Sequence, residues 1–277
     1  MHIWTHLKPE SKGVTGNGIY ADGMAEHDRH VGQILDKLDE LGIADNTIVM
    51  YSTDNGAEVF SWPDGGTTPF LGENNENWEG GNRVPLALKW PGVIKPRQIS
   101  NEIISHMDWI PTFLASLGEP DIKEKLKKGH KVGNKTFKVH LDGYNFLPYF
   151  RGEEENGPRK EFFYFSDTGD LLNLRYNKWK VVFAEQRAEG FDVWQEPFVT
   201  LRLPKIFDLR ADPFELADHV GIGYPRWRAD RLFLLVPAQV FVGNFLSTFK
   251  DYPPRQKPGS FSIDQVLANL HAGSARQ

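Results

Sequence analysis

Residues 17–51 constrain the fold more than any other stretch of the chain. From Asn17 to Leu41, apolar residues fall at Ile19, Met24, Val31, Ile34, Leu35, Leu38 and Leu41 with charges between them, the period of an amphipathic helix. Gly42 is placed to cap that helix, and Asp45-Asn46 to turn the chain. Thr47-Ile48-Val49-Met50-Tyr51 follows, short, continuous and rich in β-branched residues. Such a run after a helix predicts a buried parallel strand, and hence an α/β layer. With 277 residues the chain can bury a large core, as one domain or one domain with a smaller appendage.

The remaining elements extend this outline. Residues 54–83 are rich in Gly, Asn, Pro and Trp without periodicity, and an irregular stretch of that length inside a domain is usually functional. Val84–Trp90 predicts a strand closed by Pro91-Gly92, Ile103-Ile104 a short strand, and Asp108–Leu117 a helix ended by Gly118. Lys123–Lys138 is a basic run that reads as a solvated connecting loop, with a polyanion contact as the alternative. The composition shifts near residue 151. Phe162–Phe165, Leu171–Tyr176, Trp179–Ala184, Phe198–Leu203 and Lys205–Leu209 are spaced as hairpin strands, which predicts an antiparallel sheet. Asp212-Pro213-Phe214-Glu215 has the form of a helix start with a capping box. Arg226–Phe249 reads as helical, with Pro237 kinking it or starting its second half, and Ser262 caps a last helix. Two regions result: residues 1–150, part of an α/β domain, and residues 151–277, an antiparallel sheet with packed helices.

Charge and composition exclude several functions. Lys plus Arg is 32 against 37 Asp plus Glu, a net charge of −5, so there is no electrostatic footprint for nucleic acid. The chain has no cysteine, which excludes disulfides, Cys-ligated zinc, iron–sulfur clusters and a cysteine nucleophile within it. The most apolar stretch, Leu232–Leu246, is shorter than the ~18 residues of a membrane-spanning helix, so no transmembrane segment is expected. Met1–His6 lacks the basic and apolar regions of a signal peptide and reads as a strand edge entered mid-element, as in part of a longer protein. Compartment stays open.

Two clusters could carry chemistry. Asp54-Asn55-Gly56 lies just past the carboxyl end of the expected strand, where open α/β sheets bind ligands. A carboxylate beside a carboxamide offers oxygen donors suited to Ca²⁺ or Mg²⁺, whereas Asn-Gly is equally a hairpin-turn signal. His27 and His30 share a helix face and fit either a metal or a polar surface, and His106 reads as a cap or a buried hydrogen-bonding group. His2, beside Trp4, is a candidate ligand or catalytic group. No G-x-S-x-G, Walker, H-E-x-x-H or Rossmann pattern occurs.

Several stretches, in order, resemble the C-terminal half of an arylsulfatase-type sulfatase, of the alkaline-phosphatase-like superfamily. They are Met1–Thr5, Tyr20–Met24, Asn46–Glu58, Trp78–Pro85, His106–Thr112, Leu141–Gly143 and Phe207–Glu215. The resemblance implies a mostly parallel sheet flanked by helices plus a smaller C-terminal antiparallel sheet with a packed helix. It implies hydrolysis of sulfate monoesters of small-molecule or carbohydrate alcohols, by a formylglycine held with its substrate by a divalent cation, usually Ca²⁺. Asp54 and Asn55 match one pair of cation ligands, and His2 matches the histidine that contacts the sulfate. The formylglycine motif and the other cation ligands belong to the family's N-terminal half, so a complementary half is the implied partner. A full-length relative would be periplasmic or secreted. Five residues before Glu79, where the family usually carries a substrate-binding Lys, this sequence has Asn74. Its carboxamide can donate a hydrogen bond but carries no charge. A catalytically inactive fragment or a binding or assembly module, and phosphoryl-ester hydrolysis on the same fold, are the alternatives.

Overall fold

The computed structural model describes residues 5–58 and 64–253. His2, Trp4, the stretch Val59–Trp62 and the helix expected after Ser262 lie outside the described residues. Helix α1 (Ile19–Glu40) forms where the periodicity predicts it, and Gly42 follows it with φ +65°. Its first turn is tied to the preceding loop by the buried Asp22. That carboxylate accepts the N–H groups of Gly13 and Thr15 at 2.6 and 2.8 Å and the Thr15 hydroxyl at 2.7 Å.

Strand β1 (Val49–Ser52) corrects one expectation. It pairs antiparallel with β2 (Leu86–Lys89), Val49 opposite Lys89 and Ser52 opposite Leu86. Among the described residues every strand pairing is antiparallel, so the mostly parallel sheet is absent there. A β-branched run identifies a strand but not the direction of its neighbour, and Met50 and Tyr51 are exposed rather than covered on both faces. Between the two strands lies the short helix α2 (Glu79–Asn82).

After β2, helix α3 (Trp109–Ser116) starts from a cap in which Ser105 Oγ accepts the Met107 N–H and Asp108 accepts the Ser105 N–H. Ile103-Ile104 forms no strand. The basic run is not a loop either. It folds as helix α4 (Ile122–Lys128) and a hairpin of β3 (His130–Val132) and β4 (Lys135–Phe137) turned at Gly133. Strand β2, helix α3 and helix α5 (Leu147–Arg151), with the segments that flank them, enclose a core of Trp90, Trp109, Ala115, Phe146, Leu147 and Phe150. The wholly buried Asp108 receives two guanidinium bonds from Arg159, at 2.9 and 2.6 Å, and fastens this core to the sheet that follows.

That sheet is a meander in the order β5 (Glu161–Phe165), β6 (Leu171–Tyr176), β7 (Trp179–Glu185), β8 (Val199–Asp208). The two runs expected around residues 198–209 are one bulged strand. Alternation assigns its two faces different work. Val181 packs with Phe163 and Phe183 beneath helix α8 (Leu235–Ser247), and Phe163 stacks on Phe245 at 4.1 Å. Lys180, Val182 and Ala184 meet the Asn77-Trp78-Glu79 segment that leads into α2 on the opposite face.

Asp212–Glu215 is a turn, not a helix start. Asp212 accepts the N–H groups of Leu216 and Ala217 ahead of helix α6 (Ala217–Val220), while Glu215 sits buried at φ +55°. Helix α7 (Tyr224–Ala229) breaks before a continuous helical stretch, Leu232–Lys250, with Pro237 in the first turn of α8. At 19 residues that stretch is longer than the sequence suggests. It is long and apolar enough to cross a membrane by length and composition alone. Its packed face is the one against the sheet.

Candidate active site

Strand β1 delivers Thr53-Asp54-Asn55-Gly56 to the mouth of a cleft of about 950 Å³. Asp54 Oδ1 accepts the Asn55 N–H at 3.1 Å and the Thr53 hydroxyl at 3.2 Å, which fixes its carboxylate at the start of the turn. Asn55-Gly56 makes no hairpin. The Gly56 N–H donates to Gly81 O at 2.9 Å, and a Cβ on Gly56 would lie 1.6 Å from Gly80 O. Backbone approach this close admits only glycine, and it locks the Asp54 turn to the Trp78-Glu79-Gly80-Gly81 segment.

That segment is anchored from beneath by buried polar groups. Asn77 donates to Asn173 Oδ1 at 2.6 Å and to Ala184 O at 2.7 Å, and Asn173 returns a hydrogen bond to Asn77 O. The Glu79 N–H donates to Glu215 Oε2 at 2.7 Å. The Glu79 carboxylate accepts the Tyr164 hydroxyl at 2.9 Å and Arg175 Nη1 at 2.8 Å, with Lys180 Nζ at 3.3 Å. Lys180 Nζ also lies 2.7 Å from Glu215 Oε1, an ion pair by distance without hydrogen-bond alignment. Two carboxylates face two cations, so the buried charges balance.

Burial works to raise the Glu79 pKa, but Lys180 and Arg175 outweigh it and hold the carboxyl below its usual range. Glu215 is held above the usual range by burial, reinforced by the Glu79 charge against the pull of Lys180. Burial likewise pushes the Tyr164 hydroxyl well up, keeping it a donor. On the loop, Glu76 is raised to about 7 by burial and by the neighbouring charge of Glu73.

Three of the four site residues expected from sequence line the same cleft: Asp54, Asn55 and Asn74. Asn74 Nδ2 donates to Glu58 Oε1 at 2.7 Å. His2 lies outside the described residues. His106 also lines the cleft. It is exposed in the turn before α3, not a cap and not buried. His27 and His30 are both exposed on α1, His27 against the Tyr51 ring of β1 at 5.6 Å and His30 3.9 Å from Glu26.

Oxygen donors from Asp54 and Asn55 fit a hard cation in kind. They do not fit it in number, since Ca²⁺ takes six to eight ligands. Among the described residues no group of three or more His, Cys, Asp or Glu is poised to hold a metal. The sequence reading missed Asn77, Arg175, Lys180 and Glu215. Lys180 carried a readable signal, a lysine on the inward register of the apolar run Trp179–Ala184.

Comparison with known proteins adds four findings. A family model described as Sulfatase matches residues 18–119. Steryl-sulfatase of Homo sapiens is 32% identical over 173 residues, covering 60% of this chain and 27% of its own. Arylsulfatase of Hemicentrotus pulcherrimus is 33% identical over 194 residues, covering 69% and 32%. The crystal structure of a sulfatase from Pseudoalteromonas sp. superposes with a TM-score of 0.69 at 24% identity, over 92% of this chain and 48% of that one. The chain therefore spans about a third of the curated relatives and half of the solved one.

Proposed function

This chain belongs to the sulfatase family, within the alkaline-phosphatase-like superfamily, and on that premise we propose that it forms one side of a site hydrolysing sulfate monoesters of aryl or carbohydrate alcohols. The observation that carries this reading is that Asp54, Asn55 and Asn74, brought from the end of β1 and from the loop before α2, line one cleft. In this reading residues 1–150 complete the α/β domain of the enzyme and residues 151–277 buttress it. A complementary N-terminal half supplies the formylglycine nucleophile and the remaining cation ligands.

Asp54 and Asn55 would hold the cation, Ca²⁺ or Mg²⁺, through their side-chain oxygens. When bound, the cation supplies positive charge beside the nucleophile and the sulfate oxygens. Asn74 donates a hydrogen bond toward the sulfuryl oxygens once released from Glu58, and His2 protonates the leaving oxygen. Because a neutral carboxamide stabilises developing negative charge less than an ammonium, Asn74 sets a slow site.

A second reading, a non-catalytic module that docks on another polypeptide, is favoured by the exposed apolar residues of α1, among them Ile19 and Ile34. One experiment separates the two. The chain is co-expressed with the N-terminal half of an arylsulfatase and assayed with 4-nitrophenyl sulfate, 4-nitrophenyl phosphate and Ca²⁺. Hydrolase function predicts a co-eluting complex that prefers the sulfate, loses turnover in Asp54→Ala and gains about 10²-fold in Asn74→Lys. A complex without turnover in either form leaves the docking module, and preference for the phosphate overturns sulfuryl transfer.

A further inference from the structure

The cleft extends well beyond Asp54 and Asn74, and the chemistry of its far wall is uneven. Phe162 and Phe198, partly buried, pack against the buried Leu172, Tyr164 and Ala184 and give the cleft an apolar floor. Carboxylates line the same cleft. Glu154, Glu155 and Asp167 are exposed, and Glu102 is half-buried, accepting the Gly157 N–H at 2.8 Å with Lys160 at 3.7 Å. Of the seven Asp and Glu residues that line the cleft, Glu79 is balanced by Arg175 and Lys180 and Asp54 stands at the expected cation site, which leaves the wall carboxylates facing Arg83 alone, with no lysine lining the cleft among the described residues. Arg175 is committed to Glu79 at 2.8 Å, and Arg83 lies over the Phe70 ring at 4.6 Å.

A leaving group seated there meets aromatic surface and negative potential together. An uncharged ring system gains from the first and is indifferent to the second. A polysulfated sugar needs guanidinium or ammonium partners for each extra sulfate and instead faces like charge in a confined space. We propose that this wall is a leaving-group subsite selective for uncharged aromatic alcohols, turning away polysulfated carbohydrate. The assignment rests on the sulfate-ester reading only for which part of the substrate lies there.

The test uses the chain itself and two probes, 2-naphthol and a heparin-derived trisulfated disaccharide, each titrated by NMR. The naphthol should bind and the disaccharide should not. Phe198→Ser should weaken 2-naphthol about tenfold by removing the ring contact. Glu154→Lys with Glu155→Lys, both at exposed positions, should shift the affinity ratio about tenfold toward the disaccharide. Should Phe198→Ser fail to fold, the charge variant decides alone. Equal or tighter binding of the disaccharide by the unaltered chain, or absence of 2-naphthol binding, overturns the subsite. Since free 2-naphthol carries no sulfate, its binding with no ester turnover by the assembled enzyme sustains the subsite while counting against the hydrolase.

Discussion

A fully buried lysine between two carboxylates makes Lys180 the residue on which the site loop depends most. Replacing it with Met removes one cation and leaves Glu79 and Glu215 facing each other out of water. The expected loss is about 3–5 kcal/mol, read from the midpoint of urea denaturation, and adding Glu215→Gln should recover part of it. Glu76 gives a test of opposite sign. Its carboxyl is raised to about 7, so it favours the folded state only while protonated, and that contribution is lost as pH rises from about 4.5 through 7. Glu76→Gln should therefore raise the thermal midpoint at pH 8 and leave it unchanged at pH 4. At this scale sequence was informative where chemistry is local. Asp54 beside Asn55 puts two side-chain oxygen donors next to each other in the sequence itself, whereas the partners of Glu79 lie 85 to 136 residues away and leave no local trace.

Elements were legible where periodicity was strong. The stripe of α1 and the alternation of β5–β8 predict their own forms, and the bend at Gly118 falls where expected. Direction and pairing were not. The run ending at Tyr51 finds its partner 36 or more residues on, across a loop whose composition says nothing of register. Lys123–Lys138 misled because its charges mask a helix and a hairpin held by short-range bonds. The contact that joins β1 to α2 is the backbone packing at Gly56, so Gly56→Ala should cost about 1–3 kcal/mol and expose the 71–83 loop to limited proteolysis. A loop that stays resistant would show that the two segments are held elsewhere.

For the whole molecule, the cleft lies between the layer containing β1, β2 and α3 and the face of the meander opposite α8. The four-stranded sheet is therefore the bed on which the Trp78–Gly81 segment rests. This arrangement has a consequence for how the chain is made. The N–H of Glu79 finds its acceptor on Glu215, a residue synthesised 136 positions later. At ~5–20 residues per second the ribosome leaves that segment without its anchor for about 7–27 s. A message interrupted anywhere between codons 180 and 215 would release a product carrying Asp54, Asn55 and Asn74 with the loop that aligns them still unset.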